Sequence, residues 1–448
     1  MKPLFAAIDR FFFARIEATG FGMMRAFWAG CTLLYFLFQS QDIAYYYSDA
    51  GVLPRDMTHF ITRDFSRFSI LDWSGDPLFA LIAYGMLVAA LFSMMIGFLP
   101  RFSTLLSVLL AFSFHERMPL ILGGGDTVLR HVGFILALAP GIQAFSVHRL
   151  GQQWRSWRTT GAFLPPVTMP IWPYRMLLWQ MILIYTASFW FKSLGSMWWR
   201  GTAVAAVLHH PVYSRLPKWA ADAMSPFGTS ADVATMLFHL LWPLQLIPRA
   251  LTTALPLWVP RVPLKRAAIL SGVLFHGQIL LFMDAGSFSL MMFAGYIGLL
   301  LREDLDALRI MIGGRMLRRW KRLSADPDPR IAVLYDGRCG LCRRSAFTLG
   351  VIDHLHRLRL LDFRDKAIQK AVAPDITEAA LDRSLHIRFP GGRTLNGFDA
   401  FRALSWHLPV LWPAAPFLYL PGVAPIGRRI YARIAQRRKR CSHEGCAL

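Results

Sequence analysis

Apolar stretches long enough to cross a bilayer core, about 17–25 residues in most cases, recur through the first two-thirds of this chain. They fall at about 22–39, 77–99, 102–116, 129–147, 174–194, 231–250, 266–284 and 286–301, the third and last being short. Backbone inside lipid must satisfy its own hydrogen bonds, so such stretches permit a helical bundle and little else. The pattern predicts about eight transmembrane helices over 21–305. With 55% hydrophobic residues and a mean hydropathy of +0.38, the 448-residue chain is too apolar for an ordinary soluble protein.

Residues 1–20 carry Lys2, Arg10 and Arg15 around Phe11, Phe12 and Phe13. They read as an amphipathic interfacial segment, since no small-residue cleavage site follows a short apolar core. A net charge of +22 invites a nucleic-acid reading. The basic residues instead flank the apolar runs, as membrane topology requires, so the expected partner is the lipid bilayer and not nucleic acid. Arg101, Arg149, Arg155, Arg158, Arg249, Arg261, Lys265 and Arg266 fall on one side of the expected spans. The loop near 40–76 balances its arginines with six aspartates. This asymmetry predicts a bacterial inner-membrane type of protein with both termini cytoplasmic; Arg200, Arg215 and Lys218, on the outer side, run against it.

Beyond a basic, Pro-containing linker at 306–330 the composition changes to that of a soluble domain, 331–448. Ile331 to Tyr335 reads as a short buried strand running into Asp336-Gly337-Arg338-Cys339-Gly340-Leu341-Cys342. The i, i+3 spacing puts Cys339 near a helix N-terminus, where backbone N–H groups and the helix dipole favour a thiolate. Cys342 lies one turn further along the same face and can resolve a mixed disulfide formed at Cys339. Arg338, Arg343 and Arg344 would stabilise negative charge on sulfur, and Asp336 would orient the turn or move a proton. A second chemistry stays open. Cys441 and Cys446 form a pair in the tail with His443 between them. With Cys339 and Cys342 they make a tetrahedral zinc set, or else a shuttle for the first pair.

The order strand 331–336, helix 340–354, strand 358–363, helix 365–383, a hairpin turning at Gly391-Gly392 and a helix at 398–407 resembles a thioredoxin-like α/β fold. Tyr335 to Cys342, with Asp362, Gly397, Ala400, Leu420-Pro421-Gly422 and Ile430 to Ala435, resembles the DCC family of thiol-disulfide oxidoreductases. That resemblance implies dithiol redox chemistry with a thiol or disulfide protein partner. One departure is plain: thioredoxins carry a cis-proline ahead of the strand facing the dithiol, and here Ser384 stands before Leu385-His386-Ile387.

The membrane part has its own resemblance. Tyr45 to Arg55, Gly124-Gly125-Asp126, Gln180 to Gly201 and Phe275-His276 to Met292 resemble the HTTM family, which includes the membrane part of the vitamin K-dependent γ-carboxylase. The resemblance implies that Lys192 acts as a base, that His276 and Trp198 are candidates for cofactor binding, and that the bundle takes a quinone or similar hydrophobic molecule. From position alone Lys192 also fits a snorkelling lysine beside an aromatic belt. Arg130, His131, His239 and Asp284 are further polar residues expected inside the bundle, while His209-His210 reads as a solvated pair. His239 stands where the family usually has a glutamate, and the large domain that follows the carboxylase spans is replaced by the dithiol module.

Overall fold

The computed structural model describes residues 2–246, 264–323 and 330–436. The chain divides into two compact units, Met1–Asp304 and Leu305–Leu448.

The first unit is mostly helical. Among the described residues, three of its helices are long and apolar enough to span a membrane: Thr19–Phe38, Pro77–Ile96 and Leu264–Phe282. Eight spans are therefore not supported. The other expected spans correspond to helices that are shorter or more polar, namely Pro100–Arg117, Gly124–Leu138, Trp172–Ser193, Gly228–Leu241 and Phe288–Gly298. Two physical reasons account for the difference. Proline and glycine cut apolar runs that hydropathy reads as continuous, so the run through 147 stops its helix at Leu138, just before Ala139-Pro140-Gly141. Polar side chains dilute others; Arg175, Gln180 and Lys192 all lie within Trp172–Ser193. The end of the sixth expected span, with Arg249 and Arg261, lies outside the described residues.

The N-terminal segment forms a helix, Lys2–Phe13, and a short strand β1, Arg15–Glu17. β1 pairs antiparallel with β2, Thr168–Pro170, and the Arg175 guanidinium sits 3.7 Å from the centroid of the Phe11 ring. Within the bundle Arg25 is fully buried and donates to four backbone carbonyls. It donates to Ile142 (3.0 Å), Met95 (3.2 Å), Phe145 (2.7 Å) and Met94. The Met94 and Met95 carbonyls belong to the last turn of Pro77–Ile96, which is capped by Gly97; the Met94 carbonyl also accepts the Gly97 N–H at 3.1 Å, so Arg25 adds a side-chain donor to an already capped helix end. Arg25→Met removes a donor from four carbonyls at once, of which Met94 keeps the Gly97 N–H. Its expected cost is about 3–5 kcal/mol, read as a lowered unfolding midpoint of the full chain in nanodiscs, with Arg25→Lys recovering only part.

The second unit begins with a helix, Arg302–Leu323, shared across the boundary, where a linker had been expected; Asp326 to Pro329 lies outside the described residues. Its sheet has four strands in the order β4-β3-β5-β6: β3 is Ile331–Tyr335, β4 Leu358–Asp362, β5 His386–Arg388 and β6 Thr394–Asn396. β3 is buried along all five residues, pairs parallel with β4 and antiparallel with β5, and β5 pairs antiparallel with β6. Gly392, at φ +85°, turns the β5–β6 hairpin. The helix expected over 365–383 is two helices, Lys366–Val372 and Glu378–Arg383, because Ala373-Pro374-Asp375 interrupts it.

Behind the sheet, the Arg357 guanidinium donates to the His407 carbonyl at 3.1 Å. Burial first, and the Arg357 charge second, push the His407 imidazole down from 6.5 to about 4. A histidine whose folded value is depressed stabilises the fold above pH 6.5 and loses that contribution as pH falls toward 4. Because the ring is only half-buried, the expected loss between pH 7 and pH 4 is about 1–3 kcal/mol. Acid unfolding followed by hydrogen exchange of this unit should flatten over that window in His407→Phe.

Candidate dithiol site

The site is built at the carboxyl ends of the two parallel strands. β3 delivers Tyr335 and then Asp336, after which the chain must reverse into the helix Gly340–Ile352, here called the dithiol helix. It does so in a tight turn closed by the Cys339 N–H donating to the Asp336 carbonyl at 3.2 Å. Two carboxylates fix that turn. Asp362, the last residue of β4, accepts from the Gly337 N–H at 2.9 Å and from the Arg364 N–H at 3.0 Å. Asp336 accepts from the Arg338 N–H at 3.0 Å. A Cβ on residue 337 would collide with the Asp362 carboxylate, so only glycine lets the turn approach this closely. Gly337→Ala is expected to cost about 1–3 kcal/mol and to shift the turn, measurable as a changed rate of Cys339 alkylation.

Cys339 is the N-cap of the dithiol helix. Its Sγ accepts from the Cys342 N–H at 3.3 Å, and its carbonyl accepts from the Arg343 N–H at 3.0 Å. A sulfur in this position faces the positive end of the helix dipole and takes an N–H that the helix leaves without a partner, both of which favour the thiolate. Cys339 and Cys342 are not joined to each other, and both are buried, at 1% and 5% exposure. A protein disulfide therefore reaches Cys339 only after the covering residues move aside.

Asp336 is held by a residue to which the sequence reading gave no role. Arg364 donates Nε to Asp336 Oδ1 and Nη2 to Asp336 Oδ2, each at 2.9 Å, a two-pronged pair. The same guanidinium reaches Asp382 and, at 3.4 Å, Glu378. The Asp336 hydrogen bonds hold its guanidinium pKa above the usual arginine value. So engaged, the Asp336 carboxylate is tied both to the turn and to a balancing cation. In the sequence Arg364 looks like any solvated charge after a strand; only the fold brings it back to residue 336. Of the three arginines expected to act on sulfur, Arg338 and Arg344 are exposed and Arg343 is half-buried. Arg343 acts on Tyr335, whose hydroxyl is pushed up to about 12 by burial and by Asp362.

The strand facing the dithiol carries Ser384 and Leu385 at its head. Because Leu334 is opposite His386, these residues lie at the dithiol end of β3. The Leu385 N–H donates to the Tyr431 hydroxyl at 2.9 Å and its carbonyl accepts from the Gly397 N–H at 2.9 Å. Tyr431 therefore ties the C-terminal helix, Val423–Gln436, to this loop. Cys441, His443 and Cys446 lie outside the described residues, and so does any zinc set that uses them. Among the described residues no cluster of three or more His, Cys, Asp or Glu forms a metal site.

In the first unit the expected polar residues come together only in part: His239 and His276 both meet the Tyr185 ring, and Asp284 does not join them. Lys192 is half-buried at the end of Trp172–Ser193, with Nζ 5.3 Å from the Trp198 ring centroid. His276 is fully buried and its Nε2 lies 2.9 Å from the Tyr185 hydroxyl, which also bonds to the Tyr296 hydroxyl. His239 is buried beside Tyr185, its Nδ1 2.6 Å from the Thr235 carbonyl. Asp284 is exposed beyond the end of Leu264–Phe282 and pairs with Arg215 at 3.4 Å, so it lines no interior space. His209 pairs with Asp222 at 2.9 Å. A groove of about 1020 Å³ runs between Gly124–Leu138 and Trp172–Ser193, where Arg130, His131, Arg175 and Gln180 interrupt an apolar lining. Lys192, Trp198 and His276 are not among the residues that line it.

No curated protein and no solved structure matches the chain. Residues 333–444 do match a family model, described as DCC1-like thiol-disulfide oxidoreductase. That match spans the dithiol turn, both carboxylates that hold it, Arg364 and Tyr431, and the C-terminal part of this chain is a DCC1-like thiol-disulfide oxidoreductase domain.

Proposed function

We propose that the chain is an integral membrane thiol-disulfide oxidoreductase in which Cys339 attacks and Cys342 resolves. The observation that carries this reading is the Cys339 sulfur capping a helix N-terminus with the Cys342 N–H aimed at it. The strand order, with one parallel pair followed by two antiparallel pairs, is that of thioredoxin-like folds and supports it. The Cys339 thiolate displaces one thiolate from a substrate disulfide and forms a mixed disulfide. Cys342 then loses its proton and attacks Cys339 Sγ, releasing the second substrate thiolate. Two electrons have moved to the substrate, and a Cys339–Cys342 disulfide remains for a cellular thiol to reduce. With the basic flanks inside, the domain faces a reducing cytoplasm, where such a dithiol serves as a reductant.

The test is a redox titration of the full chain with thiols counted by mass spectrometry. A disulfide linking Cys339 to Cys342, formed and reduced reversibly, is the expected result. Stoichiometric zinc, with thiols that resist alkylation until chelated, would establish the metal alternative instead.

A second reading concerns the first unit and rests on its groove of about 1020 Å³, room for a chain-like hydrophobic molecule such as a quinone. In the version that makes this unit the enzyme, the base is Lys192, which stands against the Trp198 ring and is not among the residues that line the groove, and the dithiol feeds reductant. Lys192→Ala then abolishes turnover, while an added thiol reductant bypasses Cys339→Ser. Full function of both variants in cells would leave only a non-enzymatic scaffold or peptide-export role.

A further inference from the structure

The C-terminal helix, Val423–Gln436, buries one face and leaves a second apolar face bare. Gly427 meets the Phe398 ring, and Tyr431 reaches Leu385 and the Phe401 ring, so residues 427, 431 and 435 point inward. Ile426, Ile430 and Ile434 repeat every four residues on an adjoining stripe, at 57%, 52% and 48% exposure. At about 100° per residue these three cover an arc of some 80°, and Arg429 and Arg433 border it on the side away from the core. The exposed apolar surface extends beyond the helix. Trp406, Val410, Trp412, Phe417, Tyr419 and Leu420 are each more than 40% exposed in the segment that leads into it.

Single exposed apolar side chains need no explanation, but this many on one helix and its approach do. The chemistry narrows the occupant. A stripe of isoleucines edged by arginine, next to tryptophan and tyrosine, suits the headgroup boundary of a bilayer, where aromatic rings rest and guanidinium groups meet phosphate. The Arg428 charge is engaged by Asp399 at 2.8 Å. Arg429 and Arg433 have no ion-pair partner among the described residues. The sequence after Gln436 continues Arg437-Arg438-Lys439-Arg440, adding positive charge for an anionic surface. This domain is also tied to a unit with three bilayer-length helices, so a lipid surface is always near and weak attraction suffices.

We infer that the stripe Ile426/Ile430/Ile434, with Arg429 and Arg433, docks the dithiol domain onto an anionic lipid surface. The inference rests on the first unit being embedded in a bilayer, and the readout is chosen to separate the two. Full-length protein is placed in nanodiscs of phosphatidylcholine alone, or with roughly one-third phosphatidylglycerol, and amide exchange is followed peptide by peptide. Persistent protection of Thr19–Phe38 and Pro77–Ile96 reports embedding. Exchange over 423–436 should be about tenfold slower in the anionic discs. The variant I426D/I430D/I434D and the variant R429Q/R433Q should each lose that difference. The second keeps every apolar contact, and unchanged alkylation of Cys339 in both confirms an intact domain. Equal protection in both lipids and in detergent would mean that the stripe packs on the chain's own membrane unit, and overturns the inference. Protection in detergent that rises with protein concentration would mean a second copy, and overturns it equally.

Discussion

Arg364→Ala destabilises the dithiol domain by about 3–5 kcal/mol and speeds alkylation of Cys339. The size follows from what is left behind. Asp336 is 6% exposed, and without Arg364 its carboxylate keeps the Arg338 N–H but loses both prongs of the guanidinium. Breaking one side of a buried pair costs far more than the pair itself contributes, because a charge stays behind in a poor solvent. Asp382 and Glu378 lose the same cation, which adds repulsion around the strand ends. The damage falls on the turn that Asp336 and Asp362 hold together, so the Cys339 cap loosens and its sulfur becomes reachable. Arg364→Lys retains charge without the planar fork and should fall between. Adding Asp336→Asn to Arg364→Ala should restore part of the lost stability, with a coupling of about 1.5–3 kcal/mol in a double-mutant cycle. Hydrogen exchange over 331–352 and the alkylation rate are the two measurements. If neither moves in Arg364→Ala, the clamp does not hold the turn.

The turn itself was legible in the sequence because its signals are local. Five apolar residues, an Asp-Gly turn and two cysteines one helical turn apart fix strand, turn and helix start within a dozen residues, and the structure puts Cys339 at the cap. What supports the turn was not legible. Arg364 acts on Asp336 across 28 positions and Tyr431 acts on Leu385 across 46, and neither side chain differs in composition from a solvated surface residue. The Pro374 break inside an amphipathic run was visible but was outweighed by helical periodicity. In the first unit the apolar runs located helices correctly but not their lengths, because hydropathy averages across Pro140 and similar breaks. Arg25 shows the same limit from the opposite direction. An arginine in an apolar run suggests a charged partner, while the fold satisfies it with backbone carbonyls at one helix end and in the turn at 142–145.

Cys339→Ser removes thiol-disulfide exchange from the full chain, a loss of about a thousandfold or more, and leaves the fold in place. Serine is among the best helix N-caps, and its hydroxyl can take the Cys342 N–H as the sulfur does. The dithiol helix should therefore keep its start, with stability changed by about 1 kcal/mol at most. The hydroxyl cannot form the thiolate that attacks a disulfide, so activity is lost without unfolding. Cys342→Ser has the opposite signature. Cys339 still attacks, no neighbouring thiol resolves the product, and a mixed disulfide accumulates that non-reducing electrophoresis can capture along with its partner. Both variants are best made with Cys31, Cys441 and Cys446 replaced by serine, so that no other thiol supplies background exchange. If Cys339→Ser still exchanges in that background, no other cysteine than Cys342 is left to act, and the order of attack proposed for the pair is wrong. If Cys342→Ser traps nothing while Cys339 alkylates at its usual rate, Cys339 is accessible to small reagents but meets no disulfide partner, and a binding or metal role takes precedence.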